Sequence, residues 1–324
     1  MSILRTPAHL RLTATCAALL ILASAQAIGA ASSTSNVTGG ASTLSSSSTE
    51  DADFLSSRQR PKPTATATAA KVVTAAASPA STAQAATLTA SPMTAPTLAG
   101  WTADWVDDLN VPIDQTKWGR YGWGYQVPGQ GAMGRYLQSN TFTSNGIMTL
   151  RTQYVAGEWS SAGVSSGDFY SAAGGRWEVR AKFPVSKGIG YAFLLYPDDG
   201  TWPPEVDLAE GRANGPLVTA TYHWGAANDQ QQAFLTNPDM SGWHTYGATI
   251  GTNTITYTFD GQAYATITNS QVTTKKLWIG FQCGAMDPNG SAKAYETVDG
   301  GVPGPLTPAV SDIQIDWVAH YTKA

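Results

Sequence analysis

The sequence predicts an all-β domain built as two packed antiparallel sheets, and three observations carry that reading. In Trp177-Glu178-Val179-Arg180-Ala181-Lys182-Phe183 the apolar residues alternate with charged ones, the period of a strand buried on one face. Residues 254–259 and 263–267 are two such runs separated by a turn at Asp260-Gly261, a hairpin signal. Further strand candidates at 147–154, 192–196, 217–224, 243–250, 277–281 and 313–321 are set off by Gly, Pro, Asn and Asp, while no segment shows helical periodicity.

The aromatic residues locate this domain. All eleven Trp and thirteen Tyr lie at or beyond Trp101, and Phe54 is the only aromatic before it. Without large apolar side chains a chain cannot bury enough surface to fold, so one domain is expected over 97–324. Residues 28–96, dominated by Ser, Thr, Ala and Pro, are expected to be an unstructured linker. Residues 1–27 read as an export signal, implying a secreted or periplasmic protein. Arg5 and Arg11 flank the start, an apolar run covers 12–22, and Ala23-Ser24-Ala25 or Ala25-Gln26-Ala27 offers a cleavage site. That run is too short for a confident membrane span. Cys16 lies in the removable segment, so Cys283 is left without a disulfide partner.

Charged residues make up 13% of the chain and the net charge is −4, without the Lys and Arg surplus that nucleic acid or anionic membranes require. Such a composition suits a neutral, hydroxyl-rich partner. Two short motifs lack their structural context. Gly129-Gln130-Gly131-Ala132-Met133-Gly134 matches a dinucleotide-binding string, but Pro128 precedes it and no helix pattern follows. Gly163-Val164-Ser165-Ser166-Gly167 matches a nucleophile elbow, but its flanks read as a Gly- and Ser-rich loop in an all-β pattern.

The segment that carries chemistry is Trp202-Pro203-Pro204-Glu205-Val206-Asp207-Leu208-Ala209-Glu210-Gly211, with three carboxylates within six residues. Alternation sends Val206 and Leu208 into the core and leaves Glu205 and Asp207 on the opposite face. Glu210 would then point inward, at a prohibitive desolvation cost. A β-bulge near Ala209 returns it to the outer face beside the other two acids. Glu205 and Glu210 then stand about 13 Å apart at Cα, a gap that two inclined side chains close towards the roughly 5 Å of a retaining glycosidase. Solvated acids on an exposed strand, or a calcium site, would be the plainer readings, and neither accounts for the bulge.

This segment, with its Glu-x-Asp-x-x-Glu spacing, resembles the bulged active-site signature of glycoside hydrolase family 16. The likeness extends through residues 175–183, 192–197, Tyr222-His223-Trp224, 242–246, 259–262 and 315–318, in the family's order. It implies a jelly-roll β-sandwich of two curved antiparallel sheets with a concave substrate cleft. It also implies Glu205 as nucleophile, Glu210 as acid/base, Asp207 as support for the nucleophile, Trp202 stacked on the sugar beside the cut, and a histidine near the acid/base. Many relatives have Gly where this chain has Pro204. The expected activity is endo-acting, retaining cleavage of β-1,3- or mixed-linkage β-glucan, most like the laminarinase branch. Transglycosylation, galactan cleavage and a non-catalytic glucan-binding module are the alternatives.

Further substrate-binding candidates are His223 and Trp224 after the catalytic strand, and Trp123 and Tyr125 in a glycine-rich loop that begins at Tyr121 and is expected to expose its aromatics. Trp105, Trp177, Trp243, Trp278 and Trp317 are expected in the core, and His244 and His320 in structural roles. No cofactor and no metal set is legible, although a structural calcium ion on the convex face would fit the family. The domain is expected to act as a monomer.

Overall fold

The computed structural model describes residues 93–113, 117–122, 124–125, 135–213, 215–286 and 301–324. The expected export signal, almost all of the linker, the GxGxxG string and Trp123 lie outside those residues. The expected all-β architecture is found: the described residues form eighteen strands and one 3₁₀ turn, Gln138–Asn140.

An outer sheet runs β16 (Gln262–Thr268), β15 (Thr254–Phe259), β14 (His244–Ile250), β9 (Gly175–Lys182), β18 (Val310–Lys323), each antiparallel to the next. The long β18 pairs at its start with β6 (Ile147–Val155) and towards its end with β1 (Trp101–Asp107), while β5 (Thr141–Ser144) pairs with β6. An inner sheet runs β13 (Asp229–Thr236), β12 (Leu217–Trp224), β11 (Glu205–Arg212), β10 (Ile189–Pro197), β17 (Lys276–Ala285), β7 (Glu158–Ser165). Short β2 (Gly119–Arg120) and β8 (Ala172–Ala173) extend it, and β3 (Gly124–Tyr125) pairs with β4 (Arg135–Tyr136). The first half of β7 pairs with β6 and its second half with β17, so this strand joins the two sheets. It also replaces the loop expected around Ser165: no strand-to-helix turn exists there, and the nucleophile-elbow context is absent.

The main core fills the space between the sheets. Trp177, Val179 and Ala181 face it from β9, and Tyr191, Phe193 and Leu195 from β10. Leu277, Ile279, Phe281 and Cys283 face it from β17, so the alternation read from sequence is the alternation that folds. Cys283 is buried and unpaired. The opposite face of β9 is also covered. Glu178 and Arg180 are buried there, Arg180 against Asp316 and Glu178 against Arg176. Part of the cover is the chain ahead of β1. Met93, Ala95, Leu98 and Trp101 pack on Trp317, Ala319 and Tyr321, and the Met93 amide donates to Asp316 Oδ1 over 3.0 Å. Among the described residues, Met93 and Ala95, ahead of the boundary expected at residue 97, are part of this packing.

Candidate active site

The bulge anticipated near Ala209 is present. Asp207 pairs with Thr221 and Glu210 with Thr219, so β11 spends three residues where β12 spends two. On the other side, Ala209 pairs with Phe193 and Asp207 with Leu194, which places the extra residue at Leu208 and Ala209. Val206, Leu208 and Ala209 all reach the main core. Glu205 pairs with His223 and Glu210 with Thr219, so the two glutamates are separated as if by four strand residues and share the face turned away from the core. Pro204 immediately precedes β11, where its missing N–H interrupts no ladder bond.

Glu205 and Asp207 are almost fully buried, whereas Glu210 is half-buried. The Trp202 indole donates to Glu205 Oε2 at 2.7 Å. The Glu205 and Asp207 carboxyls lie close enough to influence each other's ionisation. Burial pushes the proton affinity of both acids up. For Glu205 the Asp207 charge adds to it, the His223 charge opposes it, and the Glu210 charge raises it again. Asp207 Oδ2 also lies 3.3 Å from His223 Nε2, and His223 Nδ1 lies 2.8 Å from Asn228 Oδ1.

Glu205, Asp207 and His223 are the one group among the described residues whose ligand atoms all approach within 4.8 Å. Within it, Trp202 engages Glu205 Oε2 and Asn228 engages His223 Nδ1, while His223 Nε2 faces Asp207 Oδ2.

His223, expected near the acid/base, is opposite Glu205 instead, because the antiparallel register puts Thr219 beside Glu210. Trp202 lies against a small cluster of Ala192, Leu194 and Tyr196 on the cleft face, with its ring 6.0 Å from His223. Trp278 belongs to that cluster, 5.2 Å from Tyr196, and so is not the core residue that was expected. Its neighbours Leu277 and Ile279 take the core positions, and alternation leaves Trp278 for the cleft. Trp224 is corrected in the other direction. It stacks on buried Tyr222 at 5.4 Å and packs against the main core, because residues two apart share a strand face.

Tyr121, expected to be exposed, is buried with Tyr136, Met286 and Val302, and only the backbone of Tyr125 is described. Tyr121 sits where Gly163 leaves room: a Cβ there would come within 2.1 Å of the Tyr121 ring. His244 and His320 do have structural partners, Asp260 at 2.8 Å and Asp104 at 2.7 Å. Asn228 was not foreseen. Only its turn position beside His223 hinted at a role.

A two-sheet sandwich with three acids on the open face of its inner sheet is the arrangement that the resemblance to glycoside hydrolase family 16 implied. The chain belongs to the glycosyl hydrolases family 16, whose family model matches residues 132–296. It is 32% identical over 135 residues to the endo-1,3-1,4-beta-glycanase ExsH of Rhizobium meliloti, covering 38% of this chain and 29% of that protein. It is 25% identical over 277 residues to the glucan endo-1,3-beta-glucosidase A1 of Niallia circulans, covering 71% of this chain and 39% of that protein. The chain therefore spans well under half the length of these curated relatives. The catalytic domain of a Thermotoga petrophila laminarinase superposes with a TM-score of 0.57 at 18% identity, over 69% of this chain and 98% of that one. That likeness concerns the fold.

Proposed function

We propose that this protein is a secreted, endo-acting, retaining β-glycanase that hydrolyses β-1,3- or mixed-linkage β-glucan. The observation that carries the reading is the single extra residue in β11, which brings Glu205 and Glu210 to one face at a four-residue span. In the proposed reaction a Glu205 carboxylate oxygen attacks the anomeric carbon while Glu210 protonates the departing glycosidic oxygen. Glu210 then takes a proton from water as that water releases the sugar from Glu205. Asp207, beside Glu205 on the same face, supports the nucleophile, and Trp202 keeps it oriented through its 2.7 Å hydrogen bond.

The substrate class rests on two supports. The relatives named above carry β-glucanase names. Register also places Tyr196, Trp278, Thr219, Thr221, Gln230 and Gln232 on the cleft face, aromatic and neutral-polar side chains suited to stacking on and hydrogen-bonding a hydroxyl-rich glucan. A Sphingobacterium multivorum keratan-sulfate endo-1,4-beta-galactosidase, 29% identical over 141 residues, keeps galactan cleavage as the second reading. Secretion rests on the N-terminal export pattern of the sequence.

Glu205→Gln is expected to abolish turnover while leaving oligosaccharide binding measurable, and full activity in that variant would remove the mechanism. NMR of the first-formed product on laminarin and lichenan should show the β-anomer; activity confined to agarose would instead establish the galactan reading.

A further inference from the structure

We propose that Asn228 is a positioning residue for the acidic site: it holds the His223 ring as the Nδ1–H form, so that Nε2 faces Asp207 as an acceptor for a proton on that acid. This rests on the reading of Glu205 as nucleophile. An amide oxygen only accepts, so the 2.8 Å contact between His223 Nδ1 and Asn228 Oδ1 places a hydrogen on Nδ1. The ring atom left to exchange a proton with Asp207 Oδ2, 3.3 Å away, is Nε2. Passing the proton from Asp207 to Nε2 leaves an Asp207 carboxylate and a His223 imidazolium, with no other reactant consumed. In the other tautomer Nε2 carries the hydrogen and can only donate, and that acceptor is lost.

The groups around His223 are few. From β11 it meets Glu205 and Asp207, with Glu210 farther along; from β13 its register partner is uncharged Gln230, next to the exposed Asp229. The ring of Trp202 closes the remaining side.

Asn228 has a second reason to be where it is. It sits at φ +55° in the β12–β13 turn, a conformation Asn tolerates, and its amide donates to Gly225 O at 3.1 Å. Two substitutions separate the roles. Asn228→Gly keeps the turn and removes the acceptor; Asn228→Asp keeps both. On the full-length enzyme acting on laminarin, Asn228→Gly should lower kcat at the pH optimum by about tenfold with KM changed less than about twofold. The acid limb of kcat/KM should move up by about half a pH unit or more, because Glu205 ionises less readily. Asn228→Asp should return kcat and the acid limb to near the wild-type values. An Asn228→Gly enzyme with the wild-type profile, or an Asn228→Asp enzyme no better than the glycine variant, overturns the proposal and leaves the Glu205 reading intact. An active Glu205→Gln enzyme overturns that reading first.

Discussion

Alternation alone places Glu205 and Asp207 on one face, but the consequence of their burial belongs to the folded chain. In the unfolded state each carboxyl titrates in the ordinary carboxylate range; in the fold both are raised, chiefly by desolvation. The native state therefore binds more protons than the unfolded state above that range, and stability falls as pH rises through it. Asp207→Asn should stabilise the protein by roughly 1–2 kcal/mol at pH 7 and by much less at pH 4, measured by urea unfolding at both values. Equal effects at the two pH values would contradict the raised proton affinity of the buried acids. The same comparison separates a site held under tension for chemistry from one that merely packs.

At the scale of the strand, one residue decides which way Glu210 faces. Removing Ala209 would restore plain alternation, turning Glu210 towards the core or slipping the strand's pairing with β10 and β12. Deletion of Ala209 should abolish activity and lower the melting temperature by several degrees, and an active deletion variant would contradict the role of the bulge. Trp278 shows the converse case. Parity on β17 groups it with Gly280 and Gln282, opposite Leu277 and Ile279, and that parity is written in the order of the residues themselves. Treating tryptophan as a core residue by type hid it. Trp278→Ala should raise KM for glucan oligosaccharides by about tenfold with little loss of kcat, as removal of a stacking surface does. β7 escaped notice because Ser and Gly dilute its pattern, and Gly163 is small because Tyr121 lies across it.

For the whole molecule, the outer sheet is less exposed than its charges suggest. Arg180 and Asp316 pair across β9 and β18 under the segment that starts at Met93, with Trp243 5.1 Å from the Arg180 guanidinium. Removing one partner strands the other charge in a dry site. Asp316→Ala should cost about 3–5 kcal/mol by chemical denaturation, far more than loss of a surface pair such as Arg151–Asp312. A cost below about 1 kcal/mol would mean that water reaches the pair.

The sequence by itself determined the fold class and the bulge that carries three acids to one face of β11. Those are consequences of local geometry, the two-residue period of a strand and the cost of turning a carboxylate inward, and local geometry is written in order along the chain. Tertiary structure alone decided that His223 stands by Glu205 rather than Glu210, that Trp278 faces the cleft and Trp224 the core, and that Asn228 reaches the histidine ring. Each depends on the register between strands and on the segments folded over them, and register is a contest between whole faces that no single residue states.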